Sequence, residues 1–173
     1  MIENVNVWQY ASHITENIGK GILLTTCVDG KPNTMTIGWG TLGVQWGKPI
    51  FIAYVRQSRH TKTLLDQNGE FTVNIPMEQV DKNALAVCGT KSGRDMDKFA
   101  QLGLTAVAGR TVRVPAIKEF PLTLECKVIY KQDQELKSIC PEALDRYYGK
   151  GTVNENDFHT AYYGEITAAY IVK

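Results

Sequence analysis

β-Branched and aromatic residues mixed with small and polar ones mark three segments early in the chain, residues 21–28, 33–40 and 49–56. Each is bounded by turn residues, and each predicts a strand. The DGKPN turn at 29–33 joins the first two as a hairpin. Further strands are expected at 70–75, 122–131 and 161–172. In the second of these, Leu122, Leu124, Cys126, Val128 and Tyr130 alternate with Thr123, Glu125, Lys127 and Ile129, the period of a half-buried strand. Helical stretches are shorter: 60–68 stopped by Gly69, 78–87 before Gly89, and 95–102 ended by Gly103. Strands outnumber helices and follow one another without strict alternation. This predicts a mainly β fold, an antiparallel barrel or sandwich with peripheral helices, over a single domain of residues 1–173. The edges of so small a barrel need closure or cover, so a homodimer is expected.

Composition narrows the partners. With 19 basic and 18 acidic side chains, the chain offers no concentrated charge for nucleic acid or an anionic membrane. No apolar run reaches the roughly 18 residues of a membrane span, and the first residues lack the pattern of a secretory signal, so a cytoplasmic location is expected. Cys27, Cys88, Cys126 and Cys140 form no C-x-x-C pair and read as reduced thiols. His13, His60 and His159 lack metal-ligand spacing, and no G-x-S-x-G elbow exposes a nucleophilic serine.

Three segments carry candidate chemistry. GWGTLG at 38–43 matches a dinucleotide fingerprint in letters, but a turn and another strand follow it where the phosphate-binding helix should be. RQSRHT at 56–61 is better placed. It lies between a strand and a helix start, with Ser58 as the expected N-cap. There the first-turn N–H groups, the hydroxyls of Ser58 and Thr61, and the guanidinium groups of Arg56 and Arg59 can converge on a phosphate. The competing reading makes Ser58 a plain cap and the two arginines solvated charges. KSGRDMDK at 91–98 sets Ser92, Gly93, Arg94 and Lys98 around another loop-to-helix junction, with Asp95 as a first-turn acid, read either as a second basic, hydroxyl-rich helix entry or as a solvated loop. Trp39 and Trp46 read either as core packing or, for Trp39, as pocket lining.

In order along the chain, DGKPNTMTIGW, PIFIAYVRQSRHT, GEFTVNIP, CGTKSGRDMDKF, EFPLTLECKV and NDFHTAYYGEI resemble the flavin reductase-like family of FMN-binding split barrels, including the flavoredoxins. The resemblance covers nearly everything from Ile18 onward. It implies a Greek-key antiparallel split β-barrel, forming a homodimer, with FMN as cofactor. It also implies that Thr34, Met35, Thr36, Ile37 and Gly38 border the flavin ring and ribityl chain, that Trp39 lines the ring pocket, and that Arg56, Ser58, Arg59 and Thr61 take the phosphate. Cys88, Gly89, Ser92 and Lys98 match the loop that closes over the cofactor, and His159 matches a histidine lying near the flavin or the nicotinamide. The activity implied is oxidoreduction, passing hydride from NAD(P)H through FMN to flavin or another acceptor. The alternatives are an electron carrier serving a redox partner protein and a split barrel that has lost the flavin for haem or another ligand. The stretch 145–157 either shapes the cleft over the flavin or is a mobile loop.

Overall fold

The computed structural model describes residues 1–173. In chain order the elements are β1 (Ile2–Asn4), α1 (Ala11–Ile18), β2 (Ile22–Val28), β3 (Lys31–Ile37), β4 (Gly40–Gln45), β5 (Lys48–Arg56), α2 (His60–Asn68) and β6 (Glu70–Ile75). They continue with α3 (Lys82–Thr90), α4 (Lys98–Leu102), β7 (Ala106–Val107), β8 (Ala116–Ile117), β9 (Leu122–Asp133), α5 (Pro141–Tyr148) and β10 (His159–Val172).

One antiparallel sheet runs β3-β2-β6-β9-β10-β5-β4, with β1 added to β10, and β7 and β8 form a separate small ribbon. Apolar residues from nearly every strand of that path share one core. Ile22 and Leu24 of β2, Met35 and Ile37 of β3, Phe51 of β5, Phe71 and Val73 of β6, Leu124 of β9 and Tyr162 of β10 meet there with Ile14 of α1. A sheet whose inner face closes on one core is a barrel. Its two end strands, β3 and β4, are consecutive in the chain yet do not pair, so the barrel is split between them, as the family resemblance implied.

The hairpin turns are tight. Asp29 and Gly30, at φ 51° and 73°, join β2 to β3, and Trp46 and Gly47, at 52° and 72°, join β4 to β5. The first strand pair therefore begins at Lys31 rather than Asn33, and the expected strand at 33–40 breaks after Ile37. GWGTLG enters β4, which confirms that no helix follows those glycines. Trp46 is not core: it sits on the hairpin tip, 67% exposed, edge-on to Tyr130 at 6.4 Å.

The half-buried reading of β9 needs correction. Thr123 and Glu125, on the face opposite Leu122 and Leu124, are also fully buried. That face is covered by the segment from β7 to β8, which supplies polar partners: Glu125 accepts the Thr111 hydroxyl at 2.6 Å and the Arg110 and Thr111 N–H groups at 2.7 and 2.6 Å, and from β10 the Tyr170 hydroxyl at 2.7 Å. Burial alone would raise the Glu125 carboxyl, but these hydrogen bonds outweigh it and hold it below the usual carboxylate range. Asn74 ties the same layer together, donating to Thr25 and Thr72 and accepting from the Ile117 N–H.

Helix α3 starts later than expected and runs through Gly89, because Asp81 caps it by accepting the Ala84 N–H at 2.9 Å. Asp97 caps α4 in the same manner, so that helix starts at Lys98 rather than at 95. Both helices cover the outer face of β2 and β3, where Leu23 packs with Leu85, Cys88 and Phe99. No helix is long and apolar enough to cross a membrane. All four cysteines are free thiols.

Candidate functional site

β5 ends at Arg56, and its alternation places Tyr54 and Arg56 on the face opposite Ala53 and Val55, which point into the core. That outward face and the broken end of β3 form the two walls of a cleft of about 170 Å³. It is lined by Met35, Thr36, Ile37, Gly38, Trp39, Tyr54, Arg56, Arg59, Gly89, Asn154 and His159. Nine of these eleven were marked in the sequence. Tyr54 was missed although it stands two residues before Arg56 on the same strand face. Asn154 was not singled out, but it lies in the stretch 145–157 whose sequence allowed it to shape the cleft. Trp39 does line the pocket: its ring lies 4.7 Å from the His159 ring and 5.3 Å, edge-on, from Tyr147.

Arg59 also lines a second cavity of about 120 Å³ at the start of α2, shared with Ser58, His60, Thr61, Thr90, Lys91, Ser92, Gly93, Arg94 and Lys98. Four cations and no acid wall this space. None of the four is in a salt bridge. The first turn of α2 has Arg59 at its N-cap and no side chain bonded to its N–H groups, so the positive end of the helix dipole opens into the cavity.

Three further observations give this space the chemistry that suits an anion. His60 Nδ1 is buried with no hydrogen-bond partner. Thr61 Oγ accepts from Asn33 Nδ2 at 2.9 Å and keeps its own proton unspent. Lys98, only 3% exposed, finds nothing but the carbonyl oxygens of Thr34 at 2.8 Å and Cys88 at 3.5 Å. Burial, with the Arg59 charge adding to it, lowers the Lys98 ammonium to about 8. Burial first, then Arg94 and Lys98, also lowers the His60 imidazole. The backbone is shaped to the space too: a Cβ on Gly93 would stand 1.9 Å from Asn33 Oδ1.

Several sequence expectations change. Ser58 is not the N-cap; its N–H and hydroxyl both donate to Asp157, at 2.9 and 2.5 Å. Arg56 donates to Val153 O at 3.1 Å and lies 3.6 Å from the Asp157 carboxylate. The stretch 145–157 is thus fastened over the cleft, with its first residues in α5. Thr34 turns its side chain inward to Thr25 and the Leu24 carbonyl, and only its own carbonyl reaches the site. The Cys88 thiol is buried in the core under α3, where burial raises its pKa. Its carbonyl does the local work, accepting from Arg59 Nη2 at 2.9 Å beside the Gly89 carbonyl, which takes Nη1 at 2.6 Å.

The Flavin reductase like domain model matches residues 16–173. The chain belongs to the flavin reductase-like family. Among solved structures of the family's fold, the flavoredoxin of Desulfovibrio vulgaris (Miyazaki F) superposes with a TM-score of 0.66 at 27% identity, over 88% of this chain and 69% of that one. The Methanosarcina acetivorans flavoredoxin gives 0.65 at 29% identity over 88% and 68%. An FMN-binding domain of a flavin reductase-like enzyme from Shewanella baltica shares the fold, with a TM-score of 0.69 at 17% identity, over 99% and 77%. An uncharacterized protein of Archaeoglobus fulgidus is 35% identical over 57% of this chain and 55% of its own length. YddH of Escherichia coli is 31% identical over 65% and 60%. The chain therefore spans little more than half the length of these family relatives.

Proposed function

We propose that this flavin reductase-like chain holds FMN, with the phosphate in the acid-free cavity at the start of α2 and the ring along the cleft, and that it passes hydride from NAD(P)H to a flavin or another acceptor. The observation that carries the reading is the gathering of Arg59, Lys91, Arg94 and Lys98 around the uncapped helix end and the unpartnered His60 Nδ1, with no carboxylate among them. A phosphate dianion answers each of these groups at once. FMN, when bound, supplies the two-electron chemistry.

The chain's own residues bind and orient. Met35, Thr36, Ile37 and Gly38 form one wall for a flat ring, Trp39 the end of it, and Arg59 spans ring cleft and phosphate cavity. The Thr61 hydroxyl and Ser92 complete the anion's donors. Asn154 and the segment tied down by Asp157 exclude water from the outer face.

Purified protein is expected to be yellow, and to bleach when NADH or NADPH is added without air. A colourless protein that takes up no added FMN overturns the reading. The likeness to two flavoredoxins favours a second reading, an electron carrier that exchanges with a partner protein; yellow protein that neither nicotinamide bleaches selects it.

Asp157 bears on affinity as well. Its carboxylate already occupies the Ser58 N–H and hydroxyl and faces Arg56, donors that a phosphate would otherwise use. Asp157→Ala is expected to tighten FMN binding about threefold to tenfold, from about 1 kcal/mol of competing hydrogen bonds. Fluorescence titration checks this, and weaker binding would show instead that Asp157 serves the site by fixing the turn.

A further inference from the structure

Gln134 directly follows β9, and its backbone N–H donates to the His159 carbonyl at 3.0 Å. Its side-chain Oε1 accepts the His159 backbone N–H, also at 3.0 Å. Since a backbone N–H can only donate, the amide must turn its oxygen, not its nitrogen, toward this point. The same Oε1 lies 2.7 Å from the Tyr148 hydroxyl and has no proton of its own, so the single phenolic proton is spent on Gln134. Tyr148 Oη is also 2.8 Å from His159 Nδ1. With its proton already committed, the phenol can only accept there, and Nδ1 must carry the hydrogen.

The imidazole has only one proton to place. Burial, with the nearby Arg56 charge adding to it and Asp157 opposing, lowers its pKa to about 4, so the ring is neutral across the physiological range. A proton on Nδ1 leaves Nε2 as a bare lone pair. The ring stacks against Trp39 and lines the cleft, and Nε2 meets no donor from the chain. Free histidine favours the opposite tautomer, with the proton on Nε2. The cleft would then present a donor.

We propose that Tyr148 and Gln134 are positioning residues that hold His159 as the Nδ1–H tautomer. The ligand lying against Trp39 and His159 is then one that donates a hydrogen bond to Nε2, a primary carboxamide rather than a carboxylate. The choice of nicotinamide as that carboxamide rests on the function proposed above; the tautomer does not. The relay comes from elements far apart in the chain, α5 for Tyr148, the end of β9 for Gln134 and the start of β10 for His159. It gives α5 a task at the site beyond covering it.

Long-range proton–nitrogen NMR correlation on the uniformly ¹⁵N-labelled chain at neutral pH reads the tautomer directly, with or without flavin. The expected pattern is a protonated Nδ1 and a bare Nε2 at His159; the reverse pattern overturns the relay. In Tyr148→Phe the population is expected to move toward Nε2–H, and an unchanged pattern shows that Tyr148 does not set it. Gln134→Leu makes the same test from the other end should the phenylalanine chain fold poorly. For the ligand, the protein as purified is titrated with nicotinamide and with nicotinate while its absorbance reports FMN content. Nicotinamide is expected to shift Nε2 and to bind roughly tenfold more tightly than nicotinate, with that preference lost in Tyr148→Phe. Equal binding, or binding of neither, overturns the ligand assignment, and the flavin absorbance separates this failure from failure of the FMN reading.

Discussion

Lys98→Met is expected to cost the protein most of its FMN affinity while making the ligand-free chain more stable. Lys98 is buried beside Arg59 and satisfied only by carbonyl oxygens, so its charge is desolvated without a counterion until an anion arrives. The ammonium is lowered to about 8 against an ordinary value of 10.5, so between those values the unfolded chain binds the extra proton. Stability of the ligand-free protein therefore rises with pH through that window, and below it the strained charge is a constant cost. Methionine keeps the straight stem and removes the charge, for an expected gain of about 1–3 kcal/mol. Losing a charge-assisted hydrogen bond to phosphate should weaken FMN about tenfold to a hundredfold. The same linkage predicts that wild-type affinity declines as pH rises above about 8, because binding must then restore the missing proton. Thermal melts with and without FMN, and fluorescence titrations across that range, measure both effects. A methionine chain that binds FMN as tightly as wild type would place the phosphate elsewhere.

Gly164→Ala is expected to be the most destabilising single methyl group in the barrel. On β10, at the register shift between Tyr163 and Gly164, a Cβ would stand 2.4 Å from Phe71 Cζ and 2.7 Å from Cys126 Cβ. Both neighbours are fully buried in the core, so neither can swing away. Overpacking of this kind costs about 3 kcal/mol, or roughly 6–12 °C in Tm for a chain of this size. Gly43→Ala is the control, since nothing lies within 4 Å of its Cβ position. If the two variants melt together, the packing around Phe71 is looser than the geometry says.

How much of this was legible beforehand follows the range of the interactions. RQSRHT and KSGRDMDK announced cations and hydroxyls at loop-to-helix junctions, and the structure brings Ser58, Arg59, Thr61, Ser92 and Lys98 around one cavity. What a local pattern could not show is who answers whom. Ser58 reads as an N-cap until Asp157, ninety-nine residues on, takes both its donors. Thr123 and Glu125 read as a solvent face because the β7–β8 segment that covers them is set by tertiary contacts, not by the period of β9. α5 was missed, although Pro141 at its first turn and Gly149 after Tyr148 are start and stop signals. Trp46 misled by composition: a large apolar residue suggests core, but Trp-Gly between two paired strands is a turn.

The strand order also bears on how the chain must fold. β4 and β5 join the rest of the sheet only through β10, the last strand of the sequence described, while β3, β2, β6 and β9 can pair among themselves without it. A nascent chain can therefore assemble the four-strand half first and leave the β4–β5 hairpin unanchored. The cleft lies between β3 of one half and β5 with His159 of the other, so it does not exist until β10 zips in. Folding should be slow for the chain's size because its decisive pairings are so distant in sequence, and competence to bind cofactor should appear in the same kinetic phase as the final docking of that strand.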